Sequence, residues 1–331
     1  MRKIYLHVGF GKTGSSALQS YLSLNQLPCS RGGESFVYCS AERSGRVIYG
    51  DALRVEAESS ALKYCASAPD LARSSAVDDI SLALDRIFEA GGTPVLSQED
   101  WGQRGSEFIS SCFLERINCT AHVIAYVRPQ VDWFNSAWWQ WYAWDPKFKC
   151  PSDVVDNWGF KFMSWAWQLS SWKLNPRVKE VIVTPSPVDI VGDFFSKLDI
   201  DGVPIESPYG RNNTSLTLPL IQLIKNLPIE RRPHDAEVDI RLSRALDLPG
   251  GTPWSIEPGL VVRIISECFS DNIDLLRFMS PDSKVKMCSD PRWWCASPFQ
   301  GRKLITNEDL KISSSETLVL ASKLVDCLLK G

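Results

Sequence analysis

The stretch Lys3-Ile-Tyr-Leu-His-Val-Gly-Phe-Gly-Lys-Thr-Gly-Ser-Ser-Ala-Leu-Gln19 decides the fold. Residues 3–8 are apolar enough for a short buried strand, and three glycines fall in the next six positions, at 9, 11 and 14. Residues 15–25 then change to helical spacing, with Leu18, Tyr21 and Leu22 on one face and Ser15 or Ser16 near the cap. A strand, a glycine turn and a helix in immediate succession open a βαβ unit.

The same alternation continues along the chain. Strands are expected at 94–97, 122–127 and 178–184, and the run 122–127 is nearly all apolar, as a strand covered on both faces must be. Helices are expected at 78–90, 108–117, 130–142, 157–172 and 189–198, then at 216–226, 236–246, 258–279 and 313–329. Residues 28–69 show no firm pattern. The expected fold is therefore α/β: three layers, a central parallel sheet flanked by helices, P-loop-like at its first turn, with a helical C-terminal third. No repeat or linker interrupts it, so residues 1–331 read as a single domain.

Composition narrows the class. The chain has 331 residues, 44% hydrophobic and 23% charged, which fits a globular core and excludes disorder and collagen-like repeats. The net charge of −3 argues against a nucleic-acid partner that would need an overall basic surface. The opening apolar run is too short for a signal-peptide core, and no run of about 18 apolar residues occurs, so the expectation is a cytoplasmic protein with no membrane span. Ten cysteines lack CxxC spacing and read as scattered thiols, with one disulfide among Cys268, Cys288 and Cys295 left open. No His–Cys or His–carboxylate spacing suggests a metal site.

Charge is unevenly placed. Residues 1–33 hold Arg2, Lys3, Lys12 and Arg31 but no acid; Glu34 is the first. A glycine loop ahead of a helix presents free backbone N–H groups and the positive end of the helix dipole, a ready site for a phosphate. Lys12 adds a cation, and Thr13, Ser15 and Ser16 add hydroxyl donors. Gly11-Lys12-Thr13 supplies the end of a Walker A pattern, but its first glycine would fall at Leu6. Gly9, Gly11 and Gly14 satisfy GxGxxG, yet Lys12 within it is atypical and no acid closes a second strand about 20 residues on.

The segment from Leu6 to Gln19 resembles the phosphosulfate-binding loop of sulfotransferases that use 3′-phosphoadenosine 5′-phosphosulfate (PAPS), especially the bacterial and Golgi carbohydrate type. A second segment, Tyr126-Val-Arg-Pro-Gln-Val-Asp-Trp-Phe-Asn-Ser136, is similar to that family's 3′-phosphate site, with Arg128 ending a strand and Ser136 eight residues later. Residues 188–198 and Asn213-Thr-Ser215 also resemble family segments, and Gly301-Arg302 is faintly similar to a loop over the cofactor. The resemblance implies PAPS as donor, with adenosine 3′,5′-bisphosphate as product and no metal. It implies a cofactor site made of Gly11, Lys12, Thr13, Gly14, Ser15, Ser16, Arg128 and Ser136. Lys12 would stand at the leaving oxygen.

The base is less fixed. Val95-Leu-Ser-Gln-Glu99-Asp100 resembles the family's S-x-E segment, which makes Glu99 the expected base, with Asp100 or a His as alternatives. His7 and His122 read as packed strand residues and His234 as solvated. The expected acceptor is a hydroxyl of a carbohydrate or glycolipid, shaped by 26–75, by about 230–331 and by the tryptophans. Nine of the thirteen Trp fall between 133 and 172. They are either helix core, an acceptor wall with Trp139 and Trp141 as first choices, or an exposed patch for a homodimer or a membrane surface. A P-loop small-molecule kinase and a non-catalytic nucleotide-binding module are the competing readings.

Overall fold

The structure, a computed structural model, describes residues 2–201, 216–226, 231, 237–246, 250–306 and 308–313, with positions 315, 318–319 and 321–322 beyond them. In chain order these hold β1 (Arg2–Val8), α1 (Ser15–Leu24), β2 (Ser35–Ala41), β3 (Val47–Tyr49), α2 (Gly50–Ser59), α3 (Val77–Glu89), β4 (Gly92–Gln98), α4 (Gly105–Ser110), α5 (Phe113–Arg116) and β5 (Cys119–Val127). There follow α6 (Gln130–Gln140), α7 (Pro151–Trp158), α8 (Trp165–Leu174), β6 (Val178–Pro185), α9 (Ile190–Lys197), α10 (Leu218–Asn226), α11 (Glu237–Leu246), α12 (Pro258–Leu275) and α13 (Pro281–Ser289). The chain falls into two compact units: Met1–Arg128 with Ser164–Asn213 and Ser270–Ser289, and Pro129–Met163 with Thr214–Phe269 and Asp290–Gly331.

The first unit is α/β. Its six strands run in the order β3-β2-β4-β1-β5-β6, and every pairing is parallel except the short β2–β3 pair. β1 lies between β4 and β5, so it is covered on both edges and both faces, which is why its residues Ile4 to Val8 are all buried. One face of the sheet packs on α1, α2 and α9. Leu18, Tyr21, Leu22, Leu53, Phe194 and Phe195 form one cluster there with Tyr5, Tyr38, Val95 and Tyr126 of the strands. On the other face α3 packs on β4, α5 on β5 and α8 on β6. Asp271 caps α8, accepting hydrogen bonds from the backbone N–H groups of Ala166 and Trp167 at 3.0 and 2.9 Å.

Several expectations are corrected. Residues 28–69, which carry no firm pattern in sequence, hold β2, β3 and α2. β2 reads Ser-Phe-Val-Tyr-Cys-Ser-Ala, with polar and small positions that blur it; β3 has only three residues, and α2 buries only Leu53 and Ala57. The single helix expected at 157–172 is two. α7 stops at Trp158 because Gly159 takes φ +68°, ψ −156°, which no helix continues, and α8 starts at Trp165. The helix expected at 108–117 breaks at Cys112, which sits at φ +52°. α13 was not expected. The segments 213–215 and most of 313–329 lie outside the described residues, as does His234.

The described part of the second unit is helical. Asn135 ties α6 to a loop, donating to the Pro253 carbonyl at 3.0 Å and accepting from the N–H and hydroxyl of Ser255. Trp139 donates its indole N–H to the same carbonyl at 2.8 Å. The nine described cysteines are free thiols, Cys268, Cys288 and Cys295 among them. Among the described residues no helix is long and apolar enough to cross a membrane.

Phe194 is fully buried at the centre of the α1–α9 face. Phe194→Ala is expected to lower stability by about 3–5 kcal/mol, read from the denaturant midpoint with an unchanged slope.

Candidate functional site

The first unit converges on the carboxyl edge of its sheet. β1 is the switch point: the chain leaves it through α1 towards β2 on one side, and later passes from β4 over it to β5 on the other. The loops after β1, β4 and β5 therefore meet at one edge, where ligands bind in open α/β sheets. Lys12 follows β1, Glu99 follows β4 and Arg128 follows β5.

The loop after β1 is held in an unusual backbone. Lys12 lies at φ +71° and Gly14 at φ +101°, both left-handed. For lysine this conformation costs about 1–2 kcal/mol. Alternating hand turns successive N–H groups toward one concavity, the geometry of an anion-binding nest. The loop is braced from below. The Thr13 hydroxyl donates to the Phe10 carbonyl at 2.8 Å, and Ser186 donates to the Thr13 carbonyl at 2.7 Å. Thr13 is thus used to shape the loop. Gly14 caps α1 without any side-chain hydrogen bond, and the first turn of α1 holds no acid. Its leading N–H groups have no intrahelical partner.

Ser15 is buried, and its hydroxyl has no hydrogen-bond partner. A Cβ added at Gly9 would fall 2.6 Å from that oxygen and 3.2 Å from the Glu99 Cα, so only glycine lets Ser15 and Glu99 approach so closely. Ser16, in the first turn of α1, is half-buried. Burial and Glu99 push the neighbouring Tyr64 phenol up to about 12, with Ser16 pulling the other way.

Glu99 opens a short 3-10 turn that Gln98 caps by accepting from the Asp100 N–H at 3.3 Å. It is half-buried. Loss of solvent and the neighbouring Asp100 push its carboxyl from 4.5 up to about 7, with Lys12 pulling the other way. It can therefore both take up and release a proton near neutrality.

Arg128 extends its guanidinium to 3.5 Å from the Lys12 carbonyl. Its own carbonyl accepts the indole N–H of Trp165 at 3.0 Å, and the Trp165 ring packs 4.6 Å from that of Phe10 in the loop. Ser136 belongs to the second unit, where its hydroxyl donates to the Asp132 carbonyl at 3.0 Å. Gly11, Lys12, Thr13, Gly14, Ser15, Ser16, Glu99 and Arg128 all belong to the first unit.

His7 is fully buried. Its Nδ1 lies 2.7 Å from the Ser97 hydroxyl, which also accepts from Gln19 at 3.0 Å. Burial lowers its pKa to about 3, so it is a neutral packed residue. His122 faces Glu180 at 3.5 Å. Two further residues escape sequence reading, Tyr64 and Ser186. Tyr64 lies in the segment without pattern, and Ser186 carries no signal beyond ending a strand.

In the second unit, Trp133, Trp138 and Trp139 are buried, which removes Trp139 from the expected acceptor wall, while Trp141 is half-buried. Trp158 and Trp167 are the exposed members of the nine, at 51% and 59%. Arg302 is a structural cation. It pairs at 3.1 Å with buried Asp132, which also holds Arg292, and it stacks 4.4 Å over the Trp254 ring.

The Glu99 shift has a consequence for stability. Between about 4.5 and 7 the folded protein keeps a proton that the unfolded chain gives up, so stability falls as pH rises through that window and is flat above it. Glu99→Gln removes this penalty. It is expected to stabilise the protein by about 1–2 kcal/mol at pH 8 and by almost nothing near pH 4. Denaturant unfolding at both pH values checks it; equal differences at the two would refute the buried-acid account.

Compared with known proteins, the chain matches no family model, no curated protein and no solved structure.

Proposed function

We propose that the first unit is a P-loop-like sulfotransferase domain that moves a sulfuryl group from PAPS to a hydroxyl, most simply of a carbohydrate or glycolipid. The observation that carries this reading is the meeting of Lys12, Glu99 and Arg128 around a left-handed glycine loop whose buried Ser15 hydroxyl has no protein partner. A general base, two cations and an anion cradle at one sheet edge are what transfer between two oxygens requires.

The donor, when bound, supplies an activated S–O bond whose cleavage releases adenosine 3′,5′-bisphosphate. The chain's residues would do the rest. The loop N–H groups with Ser15 and Ser16 hold the 5′-phosphate end, and Arg128 meets the 3′-phosphate. Glu99 takes the proton of the attacking acceptor hydroxyl as the new O–S bond forms. Lys12 offsets the negative charge that develops on the oxygen leaving sulfur. The uncapped start of α1, free of acid, favours an anion, and Ser15 offers a donor that the fold leaves unspent.

Two measurements test the proposal. Adenosine 3′,5′-bisphosphate is expected to raise the melting temperature, and ATP with Mg²⁺ is expected to do so less; stabilisation by ATP–Mg²⁺ alone would favour the kinase reading instead. With labelled PAPS and an acceptor panel, Lys12→Ala and Glu99→Gln should each reduce turnover by about 100-fold or more. The wild-type kcat/KM, which reports the ligand-free enzyme, should rise with pH through about 7 as Glu99 ionises. Near-normal turnover in Glu99→Gln would move the base to Asp100.

A further inference from the structure

The loop after β1 rests on the connection that leaves β6. Ser186 stands one residue past that strand, in Pro185-Ser186-Pro187. Its backbone N–H donates to the Val127 carbonyl at 2.7 Å, which carries the β5–β6 ladder one step further. A residue before proline is biased to extended backbone, so Ser186 continues in line with the strand. Its hydroxyl donates to the Thr13 carbonyl at 2.7 Å. Ile190, the first residue of α9, meets the loop again: a Cβ added at Gly14 would fall 2.9 Å from the Ile190 Cδ1. Ser186, Ile190 and the loop all belong to the first unit.

The peptide between Thr13 and Gly14 is planar and trans, so its C=O and its N–H point in opposite directions. Glycine takes positive and negative φ with similar ease, so this peptide could turn either way on the Gly14 side. The Ser186 hydroxyl selects one orientation. It draws the Thr13 carbonyl to itself, and the Gly14 N–H is turned to the other side, with Gly14 at φ +101°. The Thr13 hydroxyl and Arg128 engage the Phe10 and Lys12 carbonyls at 2.8 and 3.5 Å, so Ser186 is the anchor nearest the start of α1. Among the described residues the N–H groups of Gly14, Ser15 and Ser16 have no acceptor, and the buried Ser15 hydroxyl beside them has no partner.

Resting on the function proposed above, we infer that Ser186 is a positioning residue for the donor: by holding the Thr13 carbonyl it aims the Gly14 N–H at the 5′-phosphate end. A serine hydroxyl has one proton, and here it is spent on Thr13, so Ser186 acts through the loop and not on the ligand. The donation also polarises the peptide, which makes its N–H a better donor to a charged oxygen. With the peptide already turned, its ordering is not charged against binding when the ligand arrives.

The test is calorimetric binding of adenosine 3′,5′-bisphosphate and of adenosine 3′-phosphate to wild type, Ser186→Ala and Ser186→Thr, with the loop amides followed by NMR in isotope-labelled protein. Ser186→Ala keeps the backbone bond to Val127 and loses only the hydroxyl. It should weaken the bisphosphate by about three- to tenfold, the worth of one oriented hydrogen bond. The ligand without a 5′-phosphate should bind wild type and Ser186→Ala alike. Ser186→Thr, which restores a hydroxyl, should recover the affinity for the bisphosphate. The bisphosphate should move the Gly14 amide proton of wild type downfield; in Ser186→Ala that shift should shrink while those of Ser15 and Ser16 persist. An unchanged bisphosphate affinity in Ser186→Ala overturns the inference and leaves the sulfotransferase reading standing. So does equal weakening of both ligands, no recovery in Ser186→Thr, or a Gly14 shift that is the same with and without the hydroxyl. Failure of wild type to bind either ligand overturns both.

Discussion

The backbone N–H of Gly102 donates to the carbonyl of Gly9 at 3.2 Å, and the site depends on that contact. It joins the loop after β1 to the turn after β4 with no side chain between them. A Cβ on Gly102 would land on the Gly9 carbonyl oxygen, and one on Gly9 would collide with Ser15. Because both are glycine, the β4 turn can lie against the phosphate-type loop, and Glu99 is carried to the side of Ser15 and Lys12. The same closeness strips water from Glu99. Phe10 and Trp101, both fully buried, fill the space behind the contact, so the carboxylate gains little solvation from that side. Its raised proton affinity is thus a product of backbone packing as much as of nearby charge.

Tryptophan is the second organising element, in a role that composition alone does not show. In the first unit Trp165 donates to the Arg128 carbonyl, Trp172 to the Trp101 carbonyl and Trp101 to the Ala68 carbonyl. In the second, Trp139 donates to Pro253 and Trp144 to Trp139. Each of these indoles spends its one N–H on a carbonyl near the end of a strand, helix or turn, and all but the half-buried Trp144 also bury a large apolar body. An excess of tryptophan in a chain with long irregular connections is therefore a means of fixing loops. That accounts for Trp139 better than the acceptor wall does, and it explains why Arg128 is held at the backbone although its side chain is half-exposed.

The loop after β1 was legible because its information is local: an apolar run, glycines at the turning points, a lysine among hydroxyls and a helix face, all within about twenty residues. β1, β4, β5 and β6 were legible for the same reason, since strands buried on both faces leave unbroken apolar runs. What sequence could not convey was placement by partners distant along the chain. β2 is recognisable only once β4 lies beside it, and β3 only once β2 does. The backbone at Lys63 and Cys65 is held by Ser20 and Ser23 of α1, some forty residues earlier, a pairing that no local pattern announces. The break at Gly159 is different. A helical pattern runs across it on both sides, and the positive φ of one glycine overrides that pattern.

Charge at the site has a further implication for the proposed chemistry. Lys12 and Asp100 act on Glu99 with opposite sign, a local balance that the charge of −3 over the whole chain does not show. Lys12 now lowers the proton affinity of Glu99, opposing burial and Asp100. A phosphate-bearing ligand in the loop would engage Lys12 and weaken that opposition, which must raise the affinity of Glu99 for a proton further. Glu99 would then be a stronger base with the donor in place than without it, and would return its proton more readily once the bisphosphate had left. The electrostatic coupling of one lysine to one half-buried carboxylate would thus time the base to the donor, and it requires no motion of the fold.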